Sequence, residues 1–299
     1  MTRENEIRNQ RAEFVSSTRI CAIILLSAFC LLHSVGCGDV SRGRYNQASL
    51  KMVVQPVFSG AAMNRAFMPL FGYLSSETGY EVQYLSSLTF DGLGATIESS
   101  GAALVLCDPV TLLTLRRTHQ ARVLAAGDGA ALAPGLIIVN SAAGILDCAQ
   151  LKGRGIAIIS QQSAQGYVSQ ALFLQARGIV LPRDARLSSC GTMEEVVAAV
   201  RSGRAAAGFV SPQALAGSRT ADVTVLCQTT AVPNWVCATL DGGSTESDAK
   251  VAAALLRLSP ANAEQGKILQ QLGYSRFGEV PAVSLTELER QVRSLKVPY

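Results

Sequence analysis

Histidine is almost missing from this chain, with two in 299 residues, and no Cys-x-x-Cys pair occurs among its eight cysteines. Without those donors the usual nitrogen and sulfur frameworks for zinc cannot be assembled. Aromatic residues make up 6% of the chain, too few for a base-stacking surface. Charged residues make up 16% and the net charge is only +4, so the strong basic field of a nucleic-acid-binding protein is lacking too. The apolar run near the N-terminus, residues 21–32, is too short to serve comfortably as a permanent membrane-spanning helix.

What is present begins with that run. Residues 1–20 are polar and of mixed charge (Arg3, Arg8, Arg11 and Arg19 against Glu4, Glu6 and Glu13), and Ser34-Val35-Gly36 supplies a small-x-small pattern before Cys37. Together these read as an export signal over 1–36, cut before Cys37 and followed by a tether over 37–49. An uncleaved N-terminal anchor is the alternative. The cleavage region resembles a bacterial lipobox, which would make Cys37 a lipid-modified N-terminus. It departs from that pattern in having Ser34 where Leu is usual and His33 inside the apolar run. Cleavage leaves Cys107, Cys148, Cys190, Cys227 and Cys237 beyond Cys37. In an oxidising compartment those five allow at most two bridges and leave one thiol over.

From residue 50 onward, short strand-forming runs alternate with helical periodicity. A strand over 50–56 is followed by a helix opening at Ser59-Gly60, with Met63, Phe67, Leu70, Phe71 and Leu74 on one face. Strands follow near 80–85, 102–107, 122–126 and 135–140, and Asp108-Pro109 reads as the N-cap and first residue of another helix. The pattern then restarts, with strands near 154–159, 184–188, 206–210, 222–227 and 236–240 and three closing helices. This predicts a two-lobed α/β protein of two mostly parallel sheets, with lobe 1 from 50–138 and 236–299 and lobe 2 from 139–235. Two such lobes enclose a central ligand cleft at the carboxyl ends of their strands and close by hinge motion. One stretch stands out within this frame. Four apolar residues, 156–159, run into a polar turn, and a helix predicted from Ser163 would aim free backbone N–H groups and its dipole at the cleft. That is an anion socket built from Ser163, Ala164, Gln165 and Gly166; the plainer reading is that Ser163 only caps the helix.

The order and spacing of several short motifs carry a resemblance. These are 68-Met-Pro-Leu-Phe-Gly-Tyr-Leu-74, residues 141–153, Ser163-x-x-Gly166-Tyr167, 191-Gly-Thr-Met-Glu-Glu-195, residues 204–208 and 232-Val-Pro-Asn-234. The chain resembles the PhnD-like periplasmic solute-binding proteins for phosphonate, phosphite and phosphate that serve ABC importers. The likeness covers nearly all of 50–275 and implies a type II binding-protein fold, with the oxyanion held at helix starts and no cofactor. Carried over residue by residue, Ser163 keeps its hydroxyl, while Ala164 and Gln165 replace a Thr and a Ser. Phe90, followed by Asp91, stands at the first-lobe Tyr position. Met193 stands where His is common, and Cys107-Asp108 replaces the usual residue and Gly before Pro. Hydroxyls have thinned and sulfur has appeared, which weakens the case for a fully charged phosphonate.

That pattern is similar to the arsenite-binding sensors of the same family, which use a cysteine thiolate and signal to a membrane histidine kinase. The similarity implies Cys107 as principal metalloid ligand, with Cys190 as a second ligand or disulfide partner, and arsenite as the preferred ligand. The alternative is an ABC permease as partner and a phosphorus oxyanion as ligand. Core packing remains the plain reading of Cys107, Cys227 and Cys237 form a candidate structural disulfide, and Cys148 reads as buried. A thiol enzyme is the remote alternative. It lacks a base, because His119 follows a helix whose start, not its end, faces the cleft. The reading is therefore an exported, periplasmic binding protein and not an enzyme.

Overall fold

The computed structural model describes residues 48–129, 131–216, 220–241 and 243–299. The expected signal over 1–36, the lipidation site Cys37 and nearly all of the tether lie outside the described residues. The first strand, β1 (Ser49–Val54), alternates exposed and buried residues only at its start; Met52, Val53 and Val54 are all buried, as befits an inner strand covered on both faces. It feeds α1 (Gly60–Thr78), whose predicted apolar face is buried and which runs on through Pro69 to a left-handed Gly79. β2 (Glu81–Ser86), a 3-10 turn at Phe90–Gly92 leading into α2 (Leu93–Ser100), β3 (Leu104–Cys107), α3 (Pro109–Thr118) and β4 (Arg122–Gly127) follow. The first sheet is completed much later by β10 (Val236–Thr239) and β11 (Phe277–Gly278), in the order β11-β4-β10-β3-β1-β2.

The second sheet has the order β7-β6-β8-β5-β9, from β5 (Leu132–Asn140), β6 (Gly155–Ile158), β7 (Arg186–Ser189), β8 (Ala207–Val210) and β9 (Val223–Pro233). Its helices are α4 (Ser169–Gln175), α5 (Met193–Arg201) and α6 (Pro212–Ala216). Three helices close the chain: α7 (Thr245–Arg257), α8 (Ala263–Leu272) and α9 (Ala282–Ser294).

The two-lobed α/β plan is thus observed, with sheets that are mixed, not mostly parallel. β1, β2 and β3 run parallel, as do β6, β7 and β8, whereas β10 and β5 pair antiparallel with their neighbours. The reason lies in connectivity. β5 and β10 are the strands that arrive from the other sheet, so no covering helix reverses their direction before they pair. The first passage also comes earlier than the expected boundary at 138/139: Leu132 to Val139 already pair in the second sheet, and the chain changes sheets after Gly127. The second passage is short, at Asn234–Trp235 between β9 and β10.

Residues 48–299 form one compact unit, and its apolar clusters do not respect the lobes. One cluster joins Met52, Val54 and Leu106 of the first sheet to Leu136, Ile138 and Ala157 of the second. Another joins Ile137, Ile156, Ile158 and Phe209 to Val110 and Leu113 of α3 and to Leu288 and Val292 of α9. The last of the three helices expected to complete lobe 1 reaches both lobes. It packs on both α3 and β9, because its apolar residues fall on a stripe wide enough to reach both.

Candidate functional site

The site grows from the end of β6. After Ile159 the chain turns through a polar segment, and Ser163 adopts an extended conformation as the cap of the following helix. Its hydroxyl accepts from the Gly166 N–H at 3.1 Å. The helix then opens with a wide turn over Ala164–Val168, in which the Val168 N–H reaches back to the Ser163 carbonyl (3.0 Å), before continuing as α4. Gly166 is needed here: a Cβ would lie 2.8 Å from the Ser163 hydroxyl, 3.0 Å from Ile159 and 3.2 Å from Met193. The predicted Ser163 start and its spare N–H groups are both present.

An internal carboxyl group sits on them. Asp108 lies at the start of α3 in the other lobe, and the Ala164 N–H points at both its carboxylate oxygens (3.0 and 2.9 Å), while the Ser163 hydroxyl donates at 3.3 Å. Asp108 also caps its own helix, accepting from the Val110 N–H at 2.9 Å. Behind it the buried Gln55 accepts from the Asp108 N–H and donates to the Phe90 carbonyl and the Thr111 hydroxyl, each at 2.9 Å, which fixes the whole corner. Asp108 is 1% exposed. Burial pushes its pKa up to about 7, against the opposing pull of the Val110 and Ala164 N–H groups and the Ser163 hydroxyl.

Beside this carboxylate is a cavity of about 50 Å³ between the sheets. Phe58, Phe67, Trp235 and Tyr274 form its aromatic wall, with Phe67 and Trp235 stacked at 6.4 Å between ring centres. Ser163, Gln165, Met193, Ser211, Gln213 and Asn234 supply most of the rest. Gln165 donates to the Asn234 side-chain oxygen at 2.7 Å, and the Asn234 amide reaches Asp128 at 3.5 Å. Burial, then the nearby Asp128 and Asp108, holds the Tyr274 hydroxyl well above its ordinary pKa. Around this cavity the lobes are tied directly. The Met193 N–H donates to the Val57 carbonyl (2.8 Å), the Ser59 N–H and hydroxyl donate to Glu194 (3.2 and 3.3 Å), and the Ser160 hydroxyl donates to Asp91 (2.6 Å).

Of the residues singled out from the sequence, Asp108, Ser163, Gln165 and Met193 line the cavity, and Ala164 and Gly166 shape its floor through their backbone. Asp91 lies outside the cavity lining as an interlobe tie. Phe90 is buried in the apolar core and meets the site only through its carbonyl on Gln55.

The structure agrees with the plain readings, core packing for Cys107 and burial for Cys148, and not with the ligand and pairing expectations for the cysteines. Cys107 is fully buried among Val53, Leu93, Ile97 and Leu112 in the first-lobe core, and burial followed by the Asp108 charge raises its thiol pKa well above the ordinary value. The carboxyl end of β3 does face the cleft, but it is Asp108, one residue on, whose side chain reaches it. Cys190 is half-buried beside α5, outside the cavity lining, and its thiol pKa is also raised, by burial and then by Glu195. Arsenite therefore loses its thiolate ligand. The expected Cys227–Cys237 pair is not formed either: Cys237 is buried in the first-sheet core, while the sulfur of Cys227 lies 3.3 Å from that of Cys148.

Sequence reasoning missed Trp235, Phe58, Phe67 and Tyr274 as a wall. Trp235 did carry a signal, as the single tryptophan of the chain placed at the short passage between sheets.

Two mixed sheets, two connecting passages and a cavity between helix starts define a two-lobed solute-binding protein. The sequence matches, over residues 52–282, the family described as ABC transporter, phosphonate, periplasmic substrate-binding protein, and the chain belongs to that family. It is a family of binding proteins, not of enzymes, and of periplasmic location. Among solved structures, the chain is similar to PhnD1 from Prochlorococcus marinus in complex with methylphosphonate, at 16% identity and a TM-score of 0.73, covering 83% of this chain and 98% of that one. A binding-protein component of an ABC phosphonate transporter from Pseudomonas aeruginosa is 19% identical with a TM-score of 0.71, covering 84% and 87%. A Xanthomonas citri protein bound to ATP is 17% identical with a TM-score of 0.64, covering 84% and 98%. Such identities establish likeness of fold alone. No curated protein matches the sequence.

Proposed function

We propose that this chain is the substrate-binding component of an ABC importer of the phosphonate class, holding one small polar ligand in the cavity between Asp108, Ser163–Gly166 and Trp235. The observation that carries this reading is the meeting of helix starts from opposite lobes, α3 through Asp108 and the Ser163 helix, at the edge of a cavity between them. A ligand there would touch both lobes and so stabilise the closed state that a permease recognises. Lipid modification of Cys37 would hold the protein at the membrane beside its permease.

The test is thermal stabilisation of the purified full chain by a panel of small phosphorus oxyanions and small amines. A ligand at 100 times its dissociation constant adds about 2.7 kcal/mol to stability. The stabilisation should fall on Gln165→Ala, which removes a cavity side chain and its bond to Asn234. Stabilisation that is untouched by Gln165→Ala and Trp235→Ala would move the ligand out of this cleft and overturn the reading.

A further inference from the structure

The one charged side chain in the cavity lining is negative. Among the described residues that line it there is no lysine, arginine or histidine, and the carboxylate of Asp108 already accepts the Ala164 N–H and the Ser163 hydroxyl, the groups an anionic ligand would need. A phosphonate entering here would meet a carboxyl group that already occupies the helix-start donors and that repels an anion whenever it is ionised. Across the cavity stand four aromatic rings, the electron-rich surfaces on which ammonium groups rest. From this combination of one buried carboxylate and an aromatic wall, we infer that the ligand presents a small organic cation of the alkylammonium class to Asp108, with Trp235, Phe67, Phe58 and Tyr274 as its apolar seat. The inference rests on the reading above that this cavity is the ligand site.

None of the charged and titratable groups named around Asp108 is a cation. Cys107 lies behind it in the core, held as a neutral thiol by burial, and Tyr274 lies across the cavity with Asp128 beyond it. An ammonium ion would therefore supply the missing counter-charge. It would also draw the proton off Asp108, whose pKa burial has pushed up to about 7. Cation affinity should rise with pH through that region, whereas an oxyanion accepting a hydrogen bond from protonated Asp108 would show the opposite trend.

The experiment is calorimetric titration of the full chain with tetramethylammonium and ethylammonium chlorides and with methylphosphonate, against sodium chloride as ionic control, at pH 6 and pH 8. It is run on the native protein and on Asp108→Asn, Asp108→Gly and Trp235→Ala. The expected result is binding of an ammonium ion that is tighter at pH 8 and is weakened at least about tenfold by Asp108→Asn and by Trp235→Ala. Asp108→Gly, which vacates the Ala164 N–H and the Ser163 hydroxyl, should instead gain methylphosphonate binding. Tight methylphosphonate binding by the native protein, lost in Trp235→Ala, would overturn the cationic inference and leave the cleft reading standing. Ammonium binding that survives both Asp108→Asn and Trp235→Ala, or silence of the native protein toward both classes, would overturn the inference, and the first of these would take the cleft reading with it.

Discussion

A carboxylate kept from water, with no cation beside it, costs free energy in its ionised form even when well hydrogen-bonded, and Asp108 is in that position. The consequence for stability has a definite sign. The folded-state pKa, about 7, lies above the ordinary 3.8, so between those values the native protein holds a proton that the unfolded chain has released. Stability contributed by the protonated group is therefore present at the acid end and is lost as pH rises toward 7. Asp108→Asn should flatten this part of the profile, measured as denaturation midpoint between pH 4 and pH 7. A slope unchanged in the variant would mean that another group is responsible. A second residue-scale expectation concerns Gly166. Its Cβ position is closed by Ser163, Ile159 and Met193, so Gly166→Ala should destabilise by about 1–3 kcal/mol in denaturant unfolding, as overpacking does. The cap role of Asp108 was legible because Asp-Pro before a helical run is a local pattern. Its second role was not, since the Ala164 N–H is 56 residues away and belongs to the other sheet.

The elements show where local pattern stops being informative. Strand and helix positions follow from periodicity, but in β3 all four residues are buried, so alternation cannot say which side chain faces the cleft and which the core. That is why Cys107, correctly placed at a strand end, was wrongly aimed. Cysteine pairing fails for a related reason. Cys227 and Cys237 are close in sequence, yet the passage at Asn234–Trp235 carries them into different sheets. Cys227 instead faces Cys148, at the start of the 3-10 turn Cys148–Leu151. In an oxidising compartment, exchange with a protein or small-molecule disulfide would remove two protons and two electrons from this pair and join turn to strand β9. Non-reducing peptide mass mapping of the exported protein should find Cys148 linked to Cys227, and reduction should lower stability by about 2–4 kcal/mol. A map in which both sulfurs remain free thiols would dismiss the bridge.

At the scale of the whole molecule, polar ties and two shared apolar clusters hold the lobes together, and they differ in how easily they can be undone. Besides the Ala164 N–H and Ser163 hydroxyl on Asp108, the ties include Met193 to Val57, Glu194 to Ser59 and Ser160 to Asp91, all near the cavity. The cluster built on α3, α9 and the second sheet is fully apolar at Val110, Leu288 and Val292, and so resists water entry. Opening should therefore break the polar ties while α9 continues to cover α3 and β9, which makes that seam the hinge side and the Ser160–Asp91 pair the mouth. Neither the seam nor the mouth was readable from sequence. The stripe of α9 announces an apolar face but not that two lobes share it, and Asp91, expected beside the ligand, gives no local sign that its partner is Ser160 of the other lobe. The two sides can be separated by experiment. Removing mouth ties with Asp91→Ala and Glu194→Ala together should expand the ligand-free protein in small-angle scattering and weaken ligand binding, while changing the unfolding midpoint little. Leu288→Ala at the seam should do the reverse, costing about 2–5 kcal/mol of stability as a buried Leu deletion does, with both sheets still unfolding in one transition because the cluster belongs to both. If the mouth variant left the scattering radius unchanged, those ties would not be what keeps the cleft shut, and the apolar cluster that joins Met52 and Val54 to Leu136 and Ile138 would be holding the lobes closed by itself.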